Sequence, residues 1–128
     1  MTTIIVTGAN RGIGLELVKQ YCNRNYQVIG TYRDETTSGE LISMSRNLDN
    51  LKVHSLDVSS EQSLKDFSSK LGDTPVDIFI NNAGVYGPRD SSFNNVDEKN
   101  WVPVFQTNAI APLLLTQLII DNLRNGSQ

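Results

Sequence analysis

The feature that most constrains the fold is a glycine-rich turn near the start of the chain. The turn, Thr7-Gly8-Ala9-Asn10-Arg11-Gly12-Ile13-Gly14, follows an apolar, β-branched run and precedes apolar residues at helical spacing. Backbone N–H groups at a helix start bind phosphate well when no side chains stand in the way. In the first strand-to-helix turn, Gly8 allows the tight turn, Gly12 the approach of a pyrophosphate, and Gly14 close packing of the helix on the strand. The turn therefore predicts a phosphate site; the alternative is a turn that only reverses the chain.

The rest of the chain alternates strand-like and helix-like segments. The predicted strands are residues 4–7, 27–32, 51–56 and 76–80, and the predicted helices follow the glycine turn and cover about 38–48, 60–71 and 97–123. This βαβαβαβα order is typical of a parallel sheet with right-handed crossovers and helices on both faces. No linker or internal repeat divides the 128 residues. We therefore expect one α/β domain, 1–128, with a Rossmann-type doubly wound parallel sheet of about four strands.

The end of the second predicted strand indicates which dinucleotide such a turn would hold. In NAD-binding proteins an acid at this point, about 20 residues past the glycines, accepts a hydrogen bond from the ribose 2′-hydroxyl. Here the strand ends in Tyr32-Arg33, and the planar donor fork of Arg33 can meet a 2′-phosphate, with Arg11 close enough to help. Asp34 would repel that phosphate if it turned inward. The sequence favours NADP(H) over NAD(H); the alternative is that Arg33 is a solvated surface arginine.

Composition and charge exclude several other functions. The net charge is −3 and the charged residues are scattered, so no basic stripe marks a nucleic-acid-binding protein. No run of about 18 apolar residues could span a membrane, and no signal peptide precedes the first strand. Cys22, the only cysteine, cannot form an internal disulfide and is predicted to be buried. We expect a cytoplasmic protein without a nucleic-acid or membrane partner. His54, the only histidine, is predicted to be structural, and no metal site is predicted.

Two motifs together resemble the short-chain dehydrogenase/reductase family. Glycines at 8, 12 and 14 depart from the common G-x-G-x-x-G spacing, and no P-loop pattern is present. The pattern Thr-Gly-x-x-x-Gly-x-Gly and the tetrapeptide Asn81-Asn82-Ala83-Gly84 after the fourth strand are both similar to this family, and the resemblance covers the whole chain. Residues 81–88 and 31–34 also look like carbonyl reductases of the C-factor type. The third alternative is a Rossmann methyltransferase. Such a protein usually has an acid after strand two and is not expected to contain the tetrapeptide.

The resemblance implies a set of NADP(H)-binding residues. In the family, the counterpart of Asp57 accepts from the adenine amine and that of Val58 packs on the ring, although Asp57 could instead only start the next helix. Asn82, Ala83 and Gly84 would support the sheet and leave room for the nicotinamide-side ribose. The full predicted set is Thr7, Gly8, Asn10, Arg11, Gly12, Ile13, Gly14, Tyr32, Arg33, Asp57, Val58, Asn82, Ala83 and Gly84.

Asn108 matches the catalytic asparagine of the family, whose backbone carbonyl holds a water in a proton relay. Pro112 gives this a physical basis, because proline has no N–H to bond the carbonyl four residues back. The alternative is a helix kink without chemical purpose. The family's catalytic serine and Tyr-x-x-x-Lys would lie beyond the matched part. The residues four after the four tyrosines are Asn25, Gly30, Thr36 and Asp90, none of them lysine.

The expected function is therefore NADP(H)-dependent hydride transfer on a carbonyl or alcohol of a small molecule, with these residues as the cofactor-binding half. Without the serine, tyrosine and lysine, the 128 residues alone are predicted to be inactive. The alternative is a non-catalytic NADP(H)-binding protein or remnant. The predicted helix 97–123 is apolar nearly all round and helps form the subunit interface in the family, and strand 76–80 would be a long apolar edge. Both features predict a homo-oligomer, and the alternative is an internal helix of a larger chain.

Overall fold

A computed structural model describes residues 1–127 of the chain. It contains strands and helices in the predicted alternating order. The strands are β1 (Thr3–Val6), β2 (Gln27–Tyr32), β3 (Leu51–Ser55) and β4 (Ile78–Ile80). The helices are α1 (Gly12–Asn23), α2 (Gly39–Asn47), α3 (Glu61–Leu71), α4 (Glu98–Phe105), α5 (Ala111–Leu118) and α6 (Ile120–Arg124). A short 3₁₀ helix covers Glu35–Thr37, and a π-helical turn covers Gln106–Ile110.

Within residues 1–127 the sheet has four strands in the order β3-β2-β1-β4, and every neighbouring pair is parallel. Ile5 in β1 lies opposite Ile29 in β2 and Phe79 in β4. Parallel pairing requires a crossover for each connection, and helices supply these crossovers. The predicted α/β fold with a Rossmann-type parallel sheet is confirmed.

Two hydrophobic layers cover the two faces of this sheet. Ile4 and Val6 of β1 point into one layer with α1 and α2, and Ile5 points into the other with α3 and α5. This alternation follows from the two-residue period of a strand. All three side chains are fully buried. The central strand β1 therefore reads as a continuous apolar run, as expected for a doubly wound sheet. Cys22 is buried in the first layer, as predicted.

The predicted helix 97–123 is wrong as a single element. The structure divides it into α4, the π-helical turn, α5 and α6. Pro112 has no N–H for the carbonyl of Asn108, and at this point Ala111 N–H donates to the carbonyl of Gln106, five residues back. A second break lies at Ile119, whose backbone leaves the helical region. The four-residue-back ladder is therefore interrupted where the proline removes a donor.

One further expectation for this end of the chain needs correction. The fourth strand spans three residues rather than 76–80, so the open edge of the sheet is short. In the final helical region some apolar side chains remain exposed on this chain, since Phe105 is 62% exposed and Leu113 is 68% exposed. Among the residues that the structure describes, no helix has the length and apolar character needed to span a bilayer.

Candidate functional site

A cleft of about 630 Å³ opens beyond the carboxyl ends of the strands. The strands that flank β1 are β2 on one side and β4 on the other, so the connections from β1 and β3 lead to opposite sides. In open α/β sheets, ligands bind outside the strand ends where the strand order reverses in this way. The cleft is lined by all the predicted cofactor-binding residues except Thr7, Gly14 and Tyr32, namely Gly8, Asn10, Arg11, Gly12, Ile13, Arg33, Asp57, Val58, Asn82, Ala83 and Gly84.

The glycine turn forms one wall of this cleft. Gly12 has a φ of 56°, in the left-handed region, and an added Cβ there would meet nothing within 4 Å among the described residues. The backbone is therefore open toward the cleft at this residue. Arg11 is the N-cap of α1, and neither a side-chain cap nor an acid in the first turn occupies the free N–H groups there. Such a helix start can accept an anion.

Gly14 lies behind the wall rather than on it. It is buried, and a Cβ at this position would overlap the carbonyl oxygen of Gly8 and the side-chain nitrogen of Asn82. The missing side chain therefore allows α1 to pack against the ends of β1 and β4. This close approach agrees with the role expected for the third glycine of the turn.

Thr7 connects the glycine turn to the tetrapeptide after β4. Its side chain is buried, and its hydroxyl oxygen accepts hydrogen bonds from the N–H groups of Asn82 and Ala83, each at 3.0 Å. The side chain of Asn82 in turn donates to the carbonyl of Gly8 at 3.1 Å. Thr7 and Asn82 therefore fix the two strand ends relative to each other, and Thr7 supports the cleft without lining it.

Arg33 lines the cleft at the end of β2, while the side chain of Tyr32 packs against the hydrophobic layer beneath. Asp34 also lines the cleft, but its Oδ1 accepts hydrogen bonds from the N–H and the hydroxyl of Thr36, at 2.9 and 2.8 Å. Both bonds lower the pKa of Asp34, and the bond from the Thr36 hydroxyl has the larger effect. The positive charge of Arg33 lowers this pKa further, by a smaller amount. One carboxylate oxygen is therefore engaged by the 3₁₀ turn that follows.

Asp57 and Val58 line the cleft at the end of β3. Oδ1 of Asp57 accepts from the N–H of Ser59 at 3.0 Å and from its hydroxyl at 2.6 Å. Ser60 is the N-cap of α3, and its hydroxyl accepts from Ser63 N–H. Asp57 therefore supports the turn before α3 and faces the cleft as well.

Asn108 lies in the π-helical turn, and its side chain holds the loop after β4. Val85 N–H donates to its Oδ1 at 2.8 Å, and its Nδ2 donates to the Val85 carbonyl at 2.8 Å. The sequence predicted a role for the backbone carbonyl of Asn108 and missed this side-chain contact. Because Pro112 has no N–H, the Asn108 carbonyl has no donor four residues along the helix.

The sequence model of the family described as "short chain dehydrogenase" matches residues 2–128 of the chain. The chain belongs to the short-chain dehydrogenase family. The NADPH-bound carbonyl reductase from chicken fatty liver is 33% identical, with a TM-score of 0.89, over 98% of this chain and 49% of that one.

Two curated relatives give a similar result. The 3-oxoacyl-(acyl-carrier-protein) reductase of Vibrio cholerae is 30% identical over 97% of this chain and 50% of its own length. The "Probable NADP-dependent dehydrogenase" of Haemophilus influenzae is 31% identical over 99% of this chain and 51% of its own length. The chain thus spans about half the length of these members of the short-chain dehydrogenase family.

The sequence missed several residues that line this short-chain dehydrogenase cleft. Val85 and Tyr86 directly continue the tetrapeptide after β4, so extending that motif by two residues would have found them. Arg89 has a weaker signal, since it is a lone cation in an irregular loop. Thr107 is next to Asn108 and is buried in the π-helical turn. The residues added by the structure are Asp34, Thr37, Leu56, Val85, Tyr86, Arg89 and Thr107.

Proposed function

We propose that the cleft binds NADP(H), and that the chain is the cofactor-binding part of an oxidoreductase that transfers hydride to or from a carbonyl or alcohol of a small molecule. The observation that carries this proposal is the charge arrangement at the end of β2. Arg33 and Arg11 line the cleft and form no ion pair among residues 1–127, whereas Asp34 is engaged by Thr36. A guanidinium without a protein partner is available for a phosphate.

The remaining walls suit the other parts of a dinucleotide. The open N–H groups at the start of α1 suit the pyrophosphate, because backbone donors and the helix dipole favour negative charge there. Asp57 and Val58 suit the adenine as a hydrogen-bond acceptor and an apolar contact. Ala83 and Gly84, with almost no side chain, leave space for the nicotinamide-side ribose. The printed names of the chicken and Haemophilus influenzae proteins also favour NADP(H).

The chemistry supplied by the bound cofactor would be hydride transfer, and the chain's own residues would bind and orient it. We assign Asn108 to a proton relay through its backbone carbonyl, which Pro112 leaves without an i+4 donor. No tyrosine in the sequence has a lysine four residues later, so the acid or base for hydride transfer would come from outside these residues. For the same reason a non-catalytic NADP(H)-binding protein is the second candidate.

We also propose that the protein is cytoplasmic and associates with copies of itself. The support for self-association is a set of exposed apolar side chains on α4 and α5, among them Phe105 and Leu113. Apolar residues at such exposure rarely remain in water when they lie together on one face. The short free edge of β4 offers a second route to association.

A titration of the chain with NADPH and NADH, followed by nicotinamide fluorescence, tests the cofactor proposal. Saturable binding with NADPH preferred is the expected result. Arg33→Ala should weaken NADPH binding roughly tenfold, since a charged hydrogen bond contributes about 1.5–3 kcal/mol, and should leave NADH nearly unchanged. Arg46→Ala, on the exposed side of α2, is the matched control. Failure to bind either cofactor, or a preference for NADH, would contradict the proposal.

An activity assay tests whether these residues are catalytic without a further part of the protein. Chains that bind NADPH are mixed with a panel of small aldehydes and ketones, and oxidation of the cofactor is followed by absorbance. Turnover supports an oxidoreductase that is complete in these residues. Binding without turnover favours either the non-catalytic candidate or a cofactor-binding part whose acid and base lie elsewhere, as proposed.

A further inference from the structure

Three arginines line the cleft, and the third was not assigned by the sequence. Arg11, Arg33 and Arg89 come from the loops that follow β1, β2 and β4, and none of the five lysines of the sequence lines the cleft. The protein carries a net charge of −3, so half of its six arginines are concentrated at one site against the overall charge. Such a concentration of cations attracts an anionic ligand.

Counted formally, the three arginines against the two acids give the cleft a net charge of +1. Two acids line it, and each is engaged: Asp34 by Thr36 and Asp57 by Ser59. In the part of the chain that the structure describes, the guanidinium of Arg89 has neither an ion pair nor a hydrogen bond. Arg89 is therefore free to contact a ligand.

The loop that carries Arg89 is anchored at both of its sides. Val85 is held by the two hydrogen bonds of Asn108. Gly87 lies against Trp101 of α4, where an added Cβ would be 2.6 Å from the indole ring. Beyond Arg89, the side chain of Asn95 donates to the carbonyl of Asp90 at 2.8 Å. The anchors restrict where the Arg89 side chain can reach.

The loop that carries Arg89 approaches the end of β2, because Arg33 shares the lining of two grooves with residues of this loop. A second groove of about 560 Å³ adjoins the cleft, and its walls include Arg33, Ser59, Gly87 and Pro88. The residues just before Arg89 therefore face the ends of β2 and β3 across a groove. The start of α1 contributes backbone N–H groups and Arg11 to the same cleft.

We propose that Arg89 is a third phosphate-binding residue, which acts with Arg33 on the ribose 2′-phosphate from the opposite side of the cleft. This inference rests on the proposed NADP(H) binding and adds a specificity-determining residue to it. The planar guanidinium presents several donors to phosphate oxygens, so two arginines can bind one phosphate from two directions. Because they belong to loops after β2 and β4, a bound 2′-phosphate would join the two loops across the cleft.

The test compares NADPH with NADH, which differ only in the 2′-phosphate. Dissociation constants are measured by nicotinamide fluorescence for the wild-type chain, Arg89→Ala and Arg89→Lys, at low and high ionic strength. Arg46→Ala is the control, because it removes an exposed arginine away from the cleft. Thermal unfolding of each variant checks that the exposed substitution leaves the fold intact.

Arg89→Ala is expected to weaken NADPH binding roughly tenfold and to leave NADH within about twofold. The loss should shrink at high ionic strength, because salt screens exposed charges. Arg89→Lys should fall between the two, since it keeps the charge and loses the donor fork. Equal losses for NADPH and NADH, or no loss at all, would overturn the assignment of Arg89. Failure of the wild-type chain to bind either cofactor would instead overturn the proposed function on which it rests.

Discussion

Asn108 and Val85 pair through two reciprocal hydrogen bonds of 2.8 Å, with the asparagine side chain acting as both donor and acceptor toward one backbone residue. The pairing joins the π-helical turn to the first loop residues after the tetrapeptide. Val85 and Tyr86 line the cleft, so the asparagine controls the position of a cleft wall as well as carrying the backbone carbonyl to which a relay is assigned.

Asn108→Leu should release this loop. The substitution keeps the size of the side chain and removes both hydrogen bonds. Because the loop is exposed, water can hydrogen-bond the freed backbone groups of Val85 and so reduce the loss of stability. We expect a loss of about 1–2 kcal/mol in the free energy of unfolding, measured with urea, and weaker NADPH binding. Asn47→Leu is the control, because Asn47 bonds only within α2. Unchanged stability and binding in Asn108→Leu would show that the pairing has no structural effect.

Gly14→Ala should destabilise the fold, while Gly39→Ala should not. A Cβ at Gly14 would overlap the Gly8 carbonyl and the Asn82 side chain, whereas at Gly39 no described atom lies within 4 Å. Crowding a packed backbone costs about 1–3 kcal/mol, and alanine at a compatible helical position gains about 0.4–1 kcal/mol. Urea unfolding of both variants checks the opposite signs. A Gly14→Ala variant as stable as the wild type would mean that α1 can move away from β1 without cost.

The parts of the fold that follow from local pattern were predictable from the sequence. The strands of continuous apolar residues, the glycine turn between β1 and α1 and the parallel sheet all depend on periodicity and turn chemistry within a few residues. These elements also bring most of the predicted cofactor-binding residues to one cleft. Their proximity follows from the rule that parallel strands end at one edge of the sheet.

The features that were missed depend on contacts between residues far apart in sequence. The Asn108 side chain meets Val85, 23 residues earlier, and Arg89 reaches the cleft through a loop of irregular backbone. Neither has a periodic signal. The break in the final helix was partly visible, because Pro112 removes a donor, but the sequence alone did not indicate that the helix would respond with a π-helical turn.

Asn122 is predicted to stabilise the start of β4. It is buried, its side chain donates to the carbonyls of Gly72 and Thr74 at 2.8 Å each, and its own carbonyl accepts from Val76 N–H. Asn122→Leu keeps the volume and removes both side-chain donors, so we expect a loss of about 1–3 kcal/mol in the free energy of unfolding.

The matched control for that change is the exposed Asn125, three residues later. Asn125→Leu should shift the free energy of unfolding by less than about 0.5 kcal/mol, as is usual for a surface position. Equal stability of the two variants in urea would rule out a special role for Asn122. The comparison is informative because both substitutions add the same apolar group near the same end of the chain.

His54 should make the fold less stable as the pH falls. Burial, followed by the charges of Lys70 and Lys52, lowers its pKa from 6.5 in the folded state. The unfolded chain therefore binds the proton first, so stability is full above about pH 6.5, declines below it, and levels off beneath the folded pKa. His54→Gln should lose less stability than the wild type between pH 8 and pH 5 in urea unfolding. Equal losses in the two proteins would exclude His54 as a source of the pH dependence.

The exposed apolar face of α4 and α5 is predicted to mediate self-association. Phe105 ends α4 and Leu113 lies in the first turn of α5, on either side of the π-helical turn, and both are mostly exposed. A lysine at either position would place a charge in an apolar contact, which is costly to desolvate. In sedimentation experiments the wild type should form dimers or larger species, and Phe105→Lys and Leu113→Lys should shift it toward monomer. Ser43→Lys adds the same charge at an exposed position of α2, on the other side of the sheet, and should leave the distribution unchanged. A wild-type chain that sediments as a monomer at high concentration would show that neither this face nor the short edge of β4 drives association.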